Sequence, residues 1–470
     1  MKSNRLRLKT GALIAALALV FGIAAIPAVS AGANSAQKDW YGSASSGMLV
    51  TDENCPVIVE SETLTFDIQT FPANYYYEQE EFDAYDAKVT AHYNFYNPAD
   101  YEVNMTLVFP FGEYTSYLGE HIDESGKYLV TAGGERIESS VRHTLSYGEF
   151  NAERDVAKIL DGYKEDEFYS PDMPVHYYTC RFSGFDGTKG VYVKLDYDKS
   201  NTRVFYSVAG AQFDETPYVL LPYEGGADPV SYVKNGSVIY LFVIGKDAEP
   251  EFSFNQSWPL FGDDIADKIN VTERDITFKD VMLVYYDEYY GVSETDWYNA
   301  AIEYLDRYGC LDFAMPNSLM RWFEYRLTVP AGGRLENEVT APLYPNINGN
   351  YSSAVYEYRY LLSPAKCWAG FGSLDITVNT PYYITGCPLG DFQKVEGGYG
   401  LHFDSLPDGE LTFTMCQEKH YYRTSGILPD IAVVILIAVF SVILGLQVIV
   451  AIPLTIVFAV TGKFSSKSKP

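Results

Sequence analysis

Basic residues are scarce in this chain. Its 470 residues include 34 Lys and Arg against 62 Asp and Glu, a formal net charge of −28 at pH 7. Such an excess of carboxylates repels nucleic acid and other polyanions, so we expect no nucleic-acid partner. The same charge keeps an exported protein soluble and attracts cations or basic partners.

Motifs of metal and nucleophilic catalysis are missing as well. The six histidines include no His-Glu-x-x-His pair and the six cysteines no Cys-x-x-Cys pair, so no zinc site is expected. No Gly-x-Ser-x-Gly elbow is present to place a catalytic serine. A carboxylate pair for glycoside hydrolysis cannot be singled out among 62 acids. The sequence therefore favours a protein that is not an enzyme, and it gives no catalytic residue.

The chain contains few cysteines, and their number is even. An even set in an exported chain favours disulfides, although six cysteines allow fifteen pairings. We predict a bond between Cys55 and Cys180, with the other four cysteines paired among themselves. The six disulfide candidates are Cys55, Cys180, Cys310, Cys367, Cys387 and Cys416.

Long apolar runs occur at the two ends. Near the N-terminus, four basic residues precede the run from Ala12 to Ile26, and small residues follow it. This order is typical of a secretory signal peptide, predicted over residues 1–31 with cleavage after Ala31 or Ala33. The alternative is an N-terminal anchor that is not cleaved.

The second run extends from Ile431 to Val460 and holds no charged residue. As a helix it would reach roughly 45 Å, more than the ~30 Å of a bilayer core. We predict one transmembrane helix within residues 427–461. A hairpin folded at Gln447 or Pro453 is the alternative, but its arms of about 15 residues would be too short to span.

The residues flanking this run predict its orientation. Three lysines follow it, and Tyr421 and Tyr422 precede it. Because basic residues stay cytoplasmic and tyrosines favour the interface, the tail 462–470 is predicted inside. The chain is thus predicted to be a single-pass cell-membrane protein with an extracellular N-terminal region, and the lipid bilayer is its first partner.

Between the apolar ends the dominant pattern is alternation of apolar and polar residues, which predicts strands. The clearest pair, Ala87–Tyr96 and Glu102–Phe109, is joined by the turn chemistry of Asn97-Pro98-Ala99-Asp100 and is predicted as a hairpin. A second hairpin is predicted to turn at Gly133-Gly134, and a third at Pro407-Asp408-Gly409.

Apolar residues recur at helical spacing in two places. A short helix is predicted near residues 153–161. A longer helix begins after the cap Ser293, buries a face that includes Trp297 and Leu305, and ends at Gly309.

We therefore predict a mainly β protein with two antiparallel β-sandwich domains, a helical insertion and one C-terminal transmembrane helix. The predicted segments are a flexible linker at 32–47, a first sandwich at 48–255, the helical insertion at 256–319 and a membrane-proximal sandwich at 320–420.

One stretch resembles a known family. Residues 89–111, with a strand, an Asn-Pro turn and a second strand ending in Phe109-Pro110, resemble a hairpin of the vault/inter-alpha-trypsin domain. That resemblance implies a β-sandwich, which in the family is followed by a metal-binding von Willebrand A domain. In architecture the chain also resembles uncharacterised membrane-anchored surface proteins of Gram-positive bacteria, a resemblance that implies no activity.

Two polar motifs are weighed as ion sites. Asp198-x-Ser200-x-Thr202 matches the metal motif of a von Willebrand A domain, but a strand pattern follows where that fold needs a helix, so a turn is the better interpretation. Asp263, Asp264 and Asp267 are the calcium candidates because calcium prefers oxygen ligands. A solvated loop is the alternative there, and no other cofactor is expected.

Tyrosine is abundant, with 41 residues. Tyrosine suits binding surfaces, since it offers apolar area with a polar tip, and it suits half-buried strands for the same reason. Both interpretations stay open on the sequence.

The resulting hypothesis is a membrane-anchored cell-surface protein that acts as a binding or structural module of the envelope, with a protein or glycan ligand. One alternative is a surface hydrolase that uses a carboxylate pair. Another is an accessory or sensor subunit of a membrane complex, whose anchor would contact its partner through Gly445 and Gln447.

Overall fold

The structure is a computed structural model. It describes residues 31–33, 36–42, 55–73, 76–113, 125–146, 152–165, 169–209, 219–225, 229–254, 263–287, 291–312 and 314–423. Residues 1–30 of the predicted signal peptide and the apolar run at 431–460, with Gly445 and Gln447, lie outside these ranges. Among the described residues, no helix is both long and apolar enough to cross a membrane.

The chain is mainly β, as predicted. The strands up to residue 233 are β1 (Ala31–Ala33), β2 (Ala36–Gly42), β3 (Ile58–Asp67), β4 (Lys88–Tyr96), β5 (Val103–Glu113), β6 (Leu129–Ala132), β7 (Glu135–Arg136), β8 (Ser139–Leu145), β9 (Pro174–Phe182), β10 (Lys189–Lys194), β11 (Thr202–Ala209), β12 (Val219–Pro222) and β13 (Pro229–Val233). The later strands are β14 (Val238–Gly245), β15 (Glu251–Phe254), β16 (Asp263–Asp264), β17 (Ile269–Thr277), β18 (Leu311–Asp312), β19 (Leu319–Val329), β20 (Arg334–Pro342), β21 (Asn346–Asn348), β22 (Val355–Leu361), β23 (Phe371–Asn379), β24 (Tyr383–Gly386), β25 (Gln393–Val395), β26 (Gly398–Phe403) and β27 (Leu411–Cys416).

Helices are few and short in the described part, except for one. They are α1 (Gln79–Asp83), α2 (Ala152–Val156), α3 (Phe278–Met282) and α4 (Glu294–Tyr308), with 3-10 helices at Ser125–Lys127, Met315–Ser318 and Ser363–Cys367. The structure confirms the predicted signals at the ends of α4. The Ser293 side chain accepts a hydrogen bond from the Asp296 N–H, and Gly309 ends the helix at φ 67°.

A β-sandwich is built from an eight-stranded sheet, β25-β26-β23-β3-β4-β20-β6-β7, and a four-stranded sheet, β2-β5-β19-β8. Their alternating apolar residues fill the space between the sheets; Leu64, Ala91 and Val339 are fully buried there. The Tyr325 hydroxyl of the smaller sheet donates to Asn337 Oδ1 of the larger one at 3.0 Å, so the two sheets also share a polar contact.

The predicted hairpin over 87–109 is not a hairpin. Strand β4 pairs with β3 and β20, whereas β5 pairs with β2 and β19, so the turn after Tyr96 carries the chain from one sheet to the other. Buried Asn97 holds this corner, because its amide donates to the carbonyls of Tyr101, Val329 and Pro330. Turn residues indicate a change of direction but not which sheet the next strand joins.

The third predicted hairpin is wrong for the same reason. Strand β26 pairs with β23 and β25, whereas β27, which follows the Asp408-Gly409 turn, pairs with β24. The second prediction is confirmed. Strands β6 and β7 pair across Gly133 and Gly134, which adopt φ of 56° and 82° and so suit a tight turn that other residues disfavour.

The two predicted sandwich domains are not separate. Strands of the predicted second sandwich pair with strands of the first: β19 with β5, β20 with β4, and β23 in parallel with β3. Strand pairing over about 200 or more residues of separation leaves no local signal in the sequence, so the discontinuity was not predicted.

Residues 169–312 form a layered insertion between the halves of the sandwich. A six-stranded sheet, β17-β9-β14-β11-β12-β18, carries α3 and α4 on one face and the sheet β13-β10-β15-β16 on the other. Successive residues of β14 pack into different cores on the two faces of the sheet. Tyr240 and Phe242 pack toward the helices, and Leu241 and Val243 pack toward the small sheet. The predicted helical insertion at 256–319 therefore also contains strands, above all β17.

The linker predicted at 32–47 also contains strands. Residues Ala36–Gly42 form β2, which pairs antiparallel with β5, and Ala31–Ala33 pair in parallel with the end of β22. The small residues of this stretch suggested flexibility, but an open β5 edge offers unpaired backbone groups to any neighbouring chain segment.

An ion cluster joins α4 to the sandwich. Arg142 of β8 donates to Asp296 of α4 from Nε at 3.1 Å and from Nη2 at 3.0 Å, and its Nη1 lies 2.9 Å from Glu324 Oε2. Asp296 is buried and also accepts the backbone N–H of His143 at 2.9 Å. Buried ion pairs of this kind are stabilising only while complete, so helix and sheet depend on each other here.

The chain divides into two compact units. The smaller unit contains Asn346–Glu357, Tyr382–Gly386 and the residues from Phe413 onward. Within it, β21 pairs with the first residues of β22, and β24 pairs with β27. All of the sheets of the sandwich and the insertion belong to the larger unit.

Candidate ligand-binding face

The outer face of the eight-stranded sheet carries a continuous array of polar side chains, which we call the polar face. Its inner residues are apolar and buried, so the strand period of two directs every second residue outward. The polar face consists of Ser61, Thr63, Thr65, Thr90, His92, Asn94, Glu336, Glu338, Thr340, Ser373, Asp375, Thr377 and His402, all partly or well exposed.

Strand register arranges these residues in rows. One row runs Asp375, Thr63, His92 and Glu338 across β23, β3, β4 and β20; it begins at His402 of β26. The next row is Thr377, Thr65, Thr90 and Thr340, and the third is Ser373, Ser61, Asn94 and Glu336. With strands ~4.8 Å apart and ~6.8 Å between alternate residues, the rows cover about 19 by 14 Å.

Hydrogen bonds hold several of these side chains in position. The Thr90 and Thr340 hydroxyls lie 3.1 Å apart, and the Asn94 amide donates to Ser61 Oγ at 2.9 Å. Hydroxyl and amide groups have several donor and acceptor positions, so one internal bond leaves capacity for a ligand.

Carboxylates flank the hydroxyl rows on both sides. His402 Nδ1 lies 2.7 Å from Asp375 Oδ1, and its Nε2 lies 3.2 Å from Asp404 Oδ1. The hydrogen bonds that His402 donates to the Asp375 carboxylate and then to the Asp404 carboxylate raise the pKa of His402 above its usual value, because they favour the charged imidazolium. On the other side, His92 Nε2 is 3.9 Å from Glu336 Oε2.

An exposed ion pair lies at one end of the polar face. Arg334 Nε is 2.6 Å from Glu60 Oε2, and the guanidinium lies 4.5 Å from the Tyr96 ring centre. The hydrogen bond from Arg334 lowers the pKa of Glu60, which therefore keeps its charge. The positive charge of Arg334 is thus neutralised beside the face.

In the structure, no two of the six cysteines lie at disulfide distance, so it shows none of the predicted disulfides. Cys55 Sγ contacts Met105 Sδ at 3.7 Å in the sandwich, whereas Cys180 lies in the core of the insertion, so the predicted pair is separated by the fold. Burial raises the pKa of the Cys55 thiol to about 11 and that of Cys180 to about 12, which keeps both protonated.

The residues of the two predicted ion sites lie in strand β16, in turns and at the start of β11. Among the described residues, no group of three His, Cys, Asp or Glu side chains is arranged to hold a metal ion. Asp263 and Asp264 form β16, paired with β15, and the Asp267 carboxylate lies 3.0 Å from Lys268 Nζ. Asp198 accepts from the Ser200 N–H at 2.9 Å in a turn that leads into β11, as the turn interpretation predicted.

Tyrosine lies in the core more than on this face. Tyr93, Tyr240, Tyr298, Tyr358 and Tyr360 are fully buried, whereas Tyr96 lies at the end of the polar face beside Arg334. The sequence does not single out the polar face, because polar residues alternate with apolar ones in every half-buried strand. The outward residues of β3, Ser61, Thr63 and Thr65, carried the signal, but their neighbours across the sheet could not be known without the register.

Comparisons with known proteins give no family. No protein-family model and no curated protein matches the chain. A crystal structure from Legionella pneumophila, described as a candidate nutrient binding protein, is similar with a TM-score of 0.25 and 8% identity over 82% of this chain and 70% of that one. That similarity is too low to carry an argument about this chain.

Proposed function

We propose that this chain is an exported, membrane-anchored protein of the cell surface that binds an envelope glycan on the polar face. The observation that carries the proposal is the array itself: hydroxyl, amide, imidazole and carboxylate groups in three registered rows on one sheet face. Sugars present the complementary donors and acceptors along an extended chain.

The charged groups around the polar face limit the class of ligand that can bind there. Carboxylates at Asp375, Asp404, Glu336 and Glu338 surround the hydroxyl rows. Of the two cations beside them, Arg334 is paired with Glu60, and Lys88, which lies on the same side of β4 as Thr90, is opposite Asp67. An anionic polymer would be repelled, so the expected ligand is a neutral or amine-bearing glycan. The two apolar runs of the sequence are the support for the membrane anchoring and the export in this proposal.

Cosedimentation with insoluble cell-wall glycan tests the proposal. The full-length chain, purified in detergent, is mixed with glycan from which anionic polymers have been removed. The test variant Thr65→Lys/Thr90→Lys places two long side chains in the central row, where they hold a ligand away from the sheet. Neither change touches the core, since both residues face outward.

The matched control is Thr328→Lys, an exposed threonine of β19 in the four-stranded sheet. We expect the unchanged chain and the control to sediment with the glycan, and the double variant to lose binding by about tenfold or more, equivalent to at least ~1.4 kcal/mol. Equal sedimentation of all three proteins would show that the polar face is not the binding surface.

A further inference from the structure

The smaller compact unit is unusually rich in tyrosine. Three separate stretches of the chain meet in it, and each brings two tyrosines. They are Tyr351, Tyr356, Tyr382, Tyr383, Tyr421 and Tyr422. None of these six is fully buried, in contrast to the core tyrosines of the larger unit.

Contacts within the unit hold these residues together. The rings of Tyr351 and Tyr421 meet edge to face at 5.4 Å, and the Ser352 N–H donates to the Tyr422 carbonyl at 2.9 Å. Tyr383 pairs with Cys416 in the β24–β27 ladder. The most exposed members are Tyr422, with 67% of its surface accessible, and Tyr383, with 37%.

The net charge of this unit differs from that of the chain as a whole. Its described residues hold two acids, Glu357 and Glu418, and two bases, Lys419 and Arg423. The chain as a whole has a net charge of −28. A near-neutral unit can approach anionic lipid headgroups that the rest of the acidic protein is repelled from.

The length of the chain between this unit and the apolar run limits the distance between the unit and the membrane. Seven residues, 424–430, lie between Arg423 and Ile431, where the apolar run begins. Fully extended, the eight Cα–Cα steps from Arg423 to Ile431 span at most about 29 Å. If the run crosses the bilayer, the end of this unit lies within that distance of the hydrocarbon boundary, a region that includes the headgroup layer.

We propose that the tyrosine-rich unit rests on the lipid headgroup layer, with Tyr383 and Tyr422 inserted among the headgroups. Tyrosine is favoured at this depth because its ring enters the apolar boundary while its hydroxyl stays with water and headgroups. The inference rests on the membrane anchoring in the proposed function. It adds a second contact, which restrains the orientation of the anchored protein.

Fluorescence quenching by brominated lipid tests this contact. Single variants Tyr383→Trp and Tyr422→Trp are made in the full-length chain and reconstituted into phosphatidylcholine vesicles, with bromine placed high on the acyl chains. Matched controls are Tyr77→Trp and Tyr232→Trp, at positions in the larger unit that are 79% and 74% exposed. The emission added by each variant is obtained by subtracting that of the unchanged chain, and circular dichroism checks that each variant folds.

We expect several-fold stronger quenching of the added emission at positions 383 and 422 than at 77 and 232. Equal quenching at all four positions, or none at 383 and 422, would overturn the inference. An alkaline carbonate wash distinguishes the two proposals. A chain that stays with the vesicles but is not quenched at 383 and 422 contradicts only the headgroup contact, whereas a chain that washes off contradicts the anchoring and the contact together.

Discussion

At the scale of single residues, the buried His143 side chain lies in an environment that differs strongly from solution. It lies on β8 at 4% exposure, and its Nδ1 has no hydrogen-bond partner among the described residues. Burial, together with the neighbouring Arg142 guanidinium, lowers the pKa of His143 to about 3. The imidazole is therefore neutral in the folded protein at pH values where it would be charged in the unfolded chain.

This difference predicts a pH dependence of stability. The unfolded chain takes up a proton at His143 near pH 6.5 while the folded protein does not, so stability is complete above that pH and falls as the pH is lowered toward 3. The slope from this group is about 1.4 kcal/mol per pH unit. Urea unfolding of the unchanged chain and of His143→Gln between pH 7 and about 4.5 should show the shallower slope in the variant.

The matched control is His92→Gln, since His92 lies on the polar face with a partly exposed ring. It should keep the slope of the unchanged chain. Parallel pH profiles for the unchanged chain and the His143 variant would show that burial of this imidazole does not govern the acid sensitivity.

At the scale of secondary-structure elements, the Arg142 cluster is the contact on which the placement of α4 depends. Replacing Arg142 by Met leaves the buried Asp296 carboxylate without its counter-charge. Loss of one partner of a buried pair costs about 3–5 kcal/mol, so the midpoint of urea unfolding should fall strongly.

The control for this prediction is Arg334→Met. Arg334 also makes a bidentate pair, with Glu60 at 2.6 and 2.7 Å, but in solvent. Exposed ion pairs contribute little, so its midpoint should move much less. Similar losses in the two variants would mean that burial does not set the strength of the Arg142 pair.

Individual elements could be predicted from the sequence far better than their partners could. The hairpin that turns at Gly133-Gly134 and the helix from Ser293 to Gly309 follow from local turn residues, periodicity and caps, and the structure confirms both. The pairing of β4 with β20 depends on contacts more than 200 residues apart, which no local pattern encodes.

The same limit applies to the candidate site. Thr63 and Thr65 are visible in the sequence as the polar members of an alternating strand. Their neighbours Thr90, Asp375 and Thr377 come from two other strands, and only the register brings them into rows. The cysteines show a related limit: count and compartment favour a Cys55–Cys180 bond, but the structure places Cys55 beside Met105 of the sandwich and Cys180 in the core of the insertion.

At the scale of the whole molecule, the larger unit is one sandwich that a layered insertion interrupts. Strands β2 to β8, β19, β20, β23, β25 and β26 form its two sheets, while residues 169–312 contain the insertion, with α4 attached to the sandwich through Arg142. Strands β3, β4 and β23 lie at the centre of the larger sheet, where pairing on both edges holds the polar face rigid. A rigid face suits an extended ligand, since little ordering is required on binding.

Carbene footprinting of the full-length chain, with and without cell-wall glycan, tests this account most directly. The reagent labels accessible side chains, and mass spectrometry locates the residues that the ligand protects. The account predicts protection concentrated at 61–65, 90–94 and 373–377, with the exposed outer face of β19 unchanged. Unchanged labelling of those three strands in the presence of bound glycan would contradict it.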